Sequence, residues 1–274
     1  MQQRIITEEI VKSIDKWNAE LEKRGHHHPW VTVKDVNKVG RRHLHRCPKQ
    51  KREIHLLSDG EKRAYKVLVW RPDTLLVKEQ VPLDLNETLD IANELGFLHS
   101  GDYKTKAAHV MSTDFYTEHV IFDSGELVKR AYNFKYWNQL WTIDENGRLK
   151  KKHYRVWQKI EIEKIYWKRR GIKLFLISER EATKLICWNL DWFATEANAI
   201  VSDSEKLEFS QAFYDSWYEN KFLNCVDHII NAGNQLSLDF KRSQTVFKQA
   251  ALHRILKLDL TQRIFLREPL KVLP

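Results

Sequence analysis

Three short patches, met in a fixed order along the chain, hold the residue types that phosphodiester hydrolysis needs. Glu61 lies in the helix-forming run HLLSDGEKRAYKVLVW, Asp114 in the strand-like HVMSTDFYT, and Asn133-Phe134-Lys135 in the strand-like KRAYNFKYW. Cleaving a phosphodiester requires an activated water, charge neutralisation on the phosphate and help for the departing oxygen. Mg²⁺ is hard, prefers oxygen ligands and keeps several waters, so two carboxylates plus backbone carbonyls make a suitable partial shell, and a paired-metal site serves both the attacking and the leaving oxygen. In that arrangement Asp114 anchors or bridges the ions and Glu61 projects from its helix onto the second position. Lys135 orients the water or offsets phosphate charge. Strand alternation puts Asn133 and Lys135 on one face and turns Phe134 into the packing, with the Phe134 carbonyl still within reach of a metal.

Each residue also has a plain structural reading. Glu61 alone is an ordinary solvated helix residue, Asp114 fits an exposed strand edge, and Lys135 among aromatics can snorkel. A carboxylate within an apolar strand is less ordinary, because buried acids are rare unless paired. What lifts the set above its parts is the agreement of order, spacing and secondary structure.

The elements that must position these residues are legible from periodicity. Ile6, Ile10, Ile14, Trp17 and Leu21 recur at helical steps, predicting a helix over residues 1 to about 24 that Gly25 and Pro29 end. The three histidines of GHHHPW read as a solvated turn, since consecutive residues point in different directions. His43, His45 and Cys47 alternate onto one strand face, a zinc-like trio with no fourth ligand in view. Ser58 or Asp59 caps a helix whose stripe is Ala64, Tyr65, Leu68 and Val69. TLLVKEQV is a strand between Pro72 and Pro82, and NETLDIANELGF a polar helix. HVMSTDFYTEHVIF and ELVKRAYNFKYW form a hairpin turning at Asp123-Ser124-Gly125. The Asn-Gly signal in DENGRLKKK marks a small basic hairpin between Trp137 and His153. A helix follows from His153 to Arg169, ended by Gly171, and then IKLFLIS, an apolar strand suited to a buried parallel position.

The resulting order of helix, three strands, helix and strand predicts an α/β mixed-sheet core that matches the restriction-endonuclease-like nuclease core, a name assigned by analogy. Beyond about Thr183 the texture turns helical. Two β-like stretches, LKLDL and IFLREPLKVL, close the chain after the basic helix SQTVFKQAALHRILK, which suggests a winged-helix-type C-terminal domain. The expected division is a nuclease domain over 1–182 and a winged-helix-like DNA- or partner-binding domain over 183–274.

Bulk composition fits this reading. The 274 residues, 42% hydrophobic with ten Trp, are enough for two packed domains. Three separated cysteines without a CxxC pair argue against a disulfide framework or a structural zinc site. The sequence has neither an apolar run of about 18 residues nor a secretory leader, so a cytosolic protein without membrane contact is expected. The net charge of +9 is concentrated in RRHLHRCPKQKR and RLKKKHYR, patches suited to a phosphate backbone.

Taken together, HLLSDGE with a helix behind it, VMSTDF, the amide-x-Lys strand, the Glu163-x-x-Tyr166-Trp167 helix and the basic helical C-terminus resemble the TnsA family, endonuclease subunits of heteromeric bacterial transposases. The resemblance spans nearly the whole chain. It implies a Mg²⁺-dependent nuclease, with Mn²⁺ able to substitute, that cuts the 5′-side strands at double-stranded transposon ends. It also implies a TnsB-like DDE transposase and a TnsC-like AAA+ regulator as partners, the latter docking on the C-terminal domain. By that similarity Glu61, Asp114 and Lys135 are catalytic. Asn133 stands where the family tends to have Gln, and Glu163 where it keeps a glutamate near the site; on residue type alone Glu163 is equally a solvated helix residue. The Trp141–Lys152 segment is longer than the family pattern. Two other readings stay open: an adaptor of the same complex with a decayed active site, and a standalone restriction or junction nuclease.

Overall fold

The computed structural model describes residues 4–36 and 40–273. It begins with α1 (Glu8–Arg24), whose N-cap is the Thr7 hydroxyl and whose C-cap is Gly25 in the left-handed region. The helix expected from residue 1 therefore starts at Glu8, and its first three residues lie outside those described. Next come β1 (His43–Cys47), β2 (Arg52–Leu56), α2 (Asp59–Val69), β3 (Thr74–Pro82), α3 (Leu85–Glu94), β4 (Ser112–Val120) and β5 (Leu127–Phe134). Then follow α4 (Trp137–Leu140), β6 (Trp141–Ile143), β7 (Leu149–Lys151), α5 (Tyr154–Lys168), β8 (Lys173–Ile177), α6 (Lys184–Ala194), α7 (Asp203–Glu219), α8 (Cys225–Gln235) and α9 (Phe240–Leu252).

These elements form two compact units. The first comprises residues 1–46, 53–65 and 75–181; the second comprises 47–52, 66–74 and 182–274. The second unit thus draws in two short segments from the N-terminal half that a single cut near residue 182 does not separate.

The first unit is built on a four-stranded sheet in the order β3-β4-β5-β8. β4 and β5 pair antiparallel with Phe115 opposite Tyr132, and β8 runs parallel to β5 with Leu174 opposite Ala131. The parallel strand is an edge strand, so Leu174 and Leu176 are only half-buried. Its apolar run reads as fully buried in sequence because one covered face and one edge suffice to keep those residues apolar. The C-terminal half of β5, Ala131–Phe134, is buried throughout. Ile162, Tyr166 and Trp167 of α5 join Ile91 and Ala92 of α3, Leu83, Met111 and Ala131 in one core. Burying large side chains in this way supplies most of the stabilisation available to such a unit, at roughly 25 cal/mol per Å² of apolar surface.

The GHHHPW segment is not the solvated turn expected. His27 Nε2 lies 2.7 Å from the Glu79 carbonyl oxygen, Pro29 is buried, and Trp30 N–H donates to the Gln80 carbonyl at 2.9 Å. The segment is laid along β3, whose backbone carbonyls it satisfies. His43 Nε2 lies 2.7 Å from Asp59 Oδ1, and His45 packs edge-on against Tyr65.

In the second unit, α6 to α9 enclose Leu190, Phe193, Phe209, Phe213 and Phe247, all fully buried. The terminal β-hairpin expected of a wing is reduced to a single bridge, Leu258 with Val272. The backbone groups that a hairpin would pair go elsewhere. Asn189 Nδ2 donates to the Leu260 and Gln262 carbonyls at 3.1 and 2.8 Å, and Ile264 N–H donates to Asn189 Oδ1. The first amides of α8, at Cys225 and Val226, donate to the Glu268 and Leu266 carbonyls, and Pro269 has no N–H to offer. A regular winged helix is therefore not established. The three cysteines are buried thiols outside any disulfide, and no helix among the described residues is long and apolar enough to cross a membrane.

Gly60, in the first turn of α2, is where helix and sheet approach most closely: a Cβ there would fall inside the ring of Phe134. Gly60→Ala is therefore expected to destabilise the first unit by about 1–3 kcal/mol through overpacking, read as a lowered denaturation midpoint. An unchanged midpoint would mean that Phe134 moves aside at no cost.

Candidate active site

Glu61 owes its position to a local capping arrangement. Its N–H donates to Ser58 Oγ at 3.1 Å. Its carboxylate accepts from Ser58 Oγ at 3.0 Å and from the Leu57 N–H at 2.9 Å. The acid sits in the first turn of α2 and reaches back to the Leu57 amide just before the helix, a reciprocal cap with Ser58. A further donor comes from β3: Gln80 Nε2, 3.2 Å from Glu61 Oε2, with the Gln80 Oε1 accepting from Ser112 Oγ at 3.0 Å. Gln80 has φ +47°, a left-handed conformation inside a strand that costs a non-glycine residue energy and re-aims its side chain. The carbonyl bonds from His27 and Trp30 to Glu79 and Gln80 hold it there. Sequence reading missed Gln80; the polar pair Glu79-Gln80 inside the apolar TLLVKEQV was the available signal.

Asp114 is fixed from both ends. Its Oδ2 accepts the Phe134 N–H at 2.7 Å and the Lys135 ammonium at 3.4 Å, and its own N–H donates to Asn133 Oδ1 at 2.9 Å. Oδ1 of Asp114 has no hydrogen-bond partner among the described residues. The two side chains keep 15% and 31% of their accessible surface for Asp114 and Lys135, so the pocket is open to a reactant at this point.

Lys135 lies just past the end of β5, its Nζ also donating to the Phe134 carbonyl at 2.8 Å. Asn133 is enclosed where Lys135 is partly open. The Asn133 side chain is buried, and its Nδ2 donates to Glu163 Oε2 at 2.6 Å. The same Glu163 oxygen accepts from Thr113 Oγ1 at 3.1 Å, and Trp167 Nε1 donates to Thr113 Oγ1 at 2.8 Å. Glu163 is thus buried on the sheet-facing side of α5, in place of a solvated helix residue. Phe134 packs over Gly60 and edge-on to Tyr136.

The charges are mutually perturbed. Burial, with the Asp114 charge adding to it, pushes the Glu61 carboxyl up to about 7. Burial likewise raises Glu163 to about 7, against the pull of Asn133 and Lys135. Burial opposes the charge on Lys135, but Asp114, then Glu163 and Glu61, outweigh it and hold its pKa above the ordinary lysine value. Glu61, Asp114 and Lys135 therefore lie within electrostatic reach of one another, with Lys135 a persistent cation. Two carboxylates and the Phe134 carbonyl supply hard oxygen donors. No group of three or more His, Cys, Asp or Glu side chains with metal-holding geometry occurs among the described residues, so any ion here would draw the rest of its shell from carbonyls, water and substrate.

The basic patch at residues 41–52 is partly structural. Arg41 pairs with Asp59 at 2.7 Å, and Lys49 Nζ donates to the Val69 and Thr74 carbonyls at 2.9 and 2.7 Å.

Comparison with known proteins adds a family to this geometry. Residues 71–179 match the family described as TnsA-like endonuclease N terminal, a segment that contains Asp114, Asn133, Lys135 and Glu163 and begins after Glu61. The chain is 31% identical over 164 residues to the transposon Tn7 transposition protein TnsA of Escherichia coli, covering 60% of this chain and 54% of that protein. It thus spans about half the length of the curated relative it matches. Asp114 and Lys135 of the acid–acid–lysine pocket lie in that matched segment and Glu61 on the helix before it, so the chain is similar to TnsA-like endonucleases over the part that carries most of the pocket.

Proposed function

We propose that this chain is a metal-dependent DNA endonuclease that cuts the 5′-side strands at transposon ends within a transposase complex. The observation that carries the reading is the meeting of Asp114, Lys135 and Glu61 in one partly open pocket. The fit for Mg²⁺, or Mn²⁺ in its place, rests on the donor set: the Glu61 and Asp114 carboxylates and the Phe134 carbonyl are all hard oxygen ligands. When bound, such an ion supplies charge neutralisation at the phosphate and a more acidic water.

The protein's own groups do the rest. The Phe134 amide and Lys135 fix Asp114, while Asn133 bridges the Asp114 amide and Glu163 and so sets the distance between β4 and α5. Lys135, charged at neutral pH, donates to the attacked phosphate or the attacking water and does not remove a proton. Ser58 and Gln80 hold Glu61 in one rotamer. A TnsB-like DDE transposase and a TnsC-like AAA+ regulator are the proposed partners, and DNA or partner binding is the proposed role of residues 183–274. Asn133 in place of Gln does not favour the decayed-adaptor reading, because both ends of its amide are engaged.

Three tests follow from the site. In a reconstituted reaction, Asp114→Ala and Lys135→Ala are each expected to lower 5′-side cutting by about 10²–10³-fold or more, on the scale of losing one preorganised charged group. Wild-type cutting by Asp114→Ala would overturn the assignment. Gln80→Leu should lower cutting and cation affinity together while the fold persists; an unchanged rate removes its positioning role.

The third test is linkage. An acid whose folded pKa stands above its unfolded value near 4.5 keeps its proton while the unfolded chain releases it. The contribution of Glu61 and Glu163 is therefore neutral below that value and increasingly destabilising as pH rises toward 7. Metal-free protein should lose melting temperature across this window. Glu61→Gln should flatten the loss, and Mg²⁺ at pH 7.5 should restore it in the parent but not in Glu61→Gln. A parent protein whose melting ignores both pH and Mg²⁺ would contradict the proposed cation site.

A further inference from the structure

The segment between the site lysine and α5 is a second feature with the chemistry to bind. It folds as a two-stranded arm in which β6 and β7 pair antiparallel, Ile143 opposite Leu149 and Trp141 opposite Lys151. The arm is closed by a tight turn. Asp144 Oδ1 accepts from the Asn146 and Arg148 amides at 3.0 and 2.8 Å, and Gly147 turns at φ +74°. Its return strand and exit carry Arg148, Lys150, Lys151 and Lys152 in succession around one leucine, all exposed.

The arm is rigidly rooted. Trp141 contacts Trp137 at 5.9 Å and Trp157 at 4.9 Å between ring centroids. Trp157 Nε1 and the Lys152 N–H both donate to the Leu140 carbonyl, at 3.0 and 2.8 Å. Arg180 stacks on Trp137 at 3.5 Å, and the Trp137 N–H donates to Glu179. The root, Trp137, is two residues from Lys135. The lysines are unevenly committed: Lys150 reaches Asp144 at 3.3 Å and Lys151 lies over Trp157 at 4.6 Å. The Arg148 and Lys152 side chains make no hydrogen bond or ion pair among the described residues. A cation held on a stiff ribbon without an internal acid to answer it is what a phosphate backbone rewards, since neutralised phosphates release counterions and little side-chain or loop entropy is lost on binding. A two-stranded ribbon is also of the size that the major groove of B-DNA admits. Ile143, 69% exposed, and Leu149, 49% exposed, give the distal end an apolar pair that can lie against sugar and base edges.

We propose that the β6–β7 arm is a duplex-DNA grip, with Arg148 and Lys152 contacting backbone phosphates that flank the bond cleaved at Asp114 and Lys135. This assignment rests on the nuclease reading and adds to it a surface that fixes the substrate beside the pocket.

The test uses the full-length chain and a fluorescein-labelled duplex titrated across KCl concentrations without divalent cation, so that no cutting intrudes. The double variant Arg148→Ala/Lys152→Ala is expected to melt like the parent, to bind more weakly on every duplex sequence, and to lose about 1 from the log–log salt slope for each phosphate contact removed. Arg148→Lys/Lys152→Arg should restore both. Equal affinity and slope in the parent and the double variant would overturn the grip. So would unchanged DNA binding with weakened assembly onto the transposase partner, which would make the arm a protein contact. Cutting by the Asp114→Ala variant separates this failure from failure of the nuclease reading: if Asp114→Ala abolishes cutting while the arm variant binds and cuts like the parent, the arm proposal falls and the nuclease stands.

Discussion

Two carboxylates and an ammonium are kept close together at the edge of an apolar core, and the hydrogen bonds around them answer that demand. Asp114 and Glu61 repel each other, and a low-dielectric surrounding magnifies the repulsion. Burial first, and the Asp114 charge after it, raise the Glu61 pKa. Left to their own rotamers, these side chains would swing toward water. They do not, because each is bound to groups that are themselves immobile: a helix-start amide and a capping serine for Glu61, a strand amide for Asp114. The destabilisation is distributed through a network whose partners are backbone amides and side chains fixed by the sheet, the start of α2 and the buried face of α5.

The placement of that network follows from where hydrogen-bond ladders stop. β4 and β5 are central strands, but their pairing ends at Phe115 opposite Tyr132, so the Phe134 N–H donates to Asp114 instead, and the Lys135 ammonium reaches the same carboxylate. α2 can approach this end only because Gly60 leaves room for the Phe134 ring. α5 closes the far side, and the buried Glu163–Asn133 bond ties its position to the same strand. A helix start, a strand end and a buried cross-tie thus converge, and each needs only local chemistry to form.

Those local pieces were readable in the sequence. Ser58 before Glu61, the Asp123-Gly125 turn, the Asn-Gly signal and Gly171 each mark a boundary through backbone chemistry that needs no distant partner, and the structure forms elements at all of them. What sequence could not supply was long-range. Strand alternation put Asn133 beside Lys135, and both lie near Glu163, but it could not reveal that the Asn133 side chain is buried against α5. Gln80 could not be singled out because its role depends on a left-handed φ imposed by the GHHHPW segment, which is 50 residues away from it. The C-terminal stretches have good strand composition, but Asn189 and the first turn of α8 compete for their backbone groups, and composition does not reveal that competition. Glu163 was ambiguous for a related reason. A single acid on an amphipathic helix is solvated or buried according to what faces it, here Asn133 and Thr113.

The charge state of Lys135 narrows what the pocket can do. An isolated lysine moved into this environment would tend to shed its proton, because burial penalises the ammonium. Three acids reverse that tendency, Asp114 foremost. An ammonium held this way has no lone pair to accept a proton, so it serves as a donor and a fixed positive charge, and any proton taken from an attacking water must go to a different acceptor. Glu61 is the group in the pocket whose pKa lies near neutrality and whose carboxylate faces the same space, so its ionisation is the one most sensitive to a newly arrived positive or negative charge. A phosphate entering alone would drive it further toward the neutral acid, whereas positive charge would draw it to the carboxylate. On the proposed nuclease reading, the same two carboxylates that make the metal-free pocket electrostatically costly would favour a phosphate arriving with compensating cations over phosphate alone.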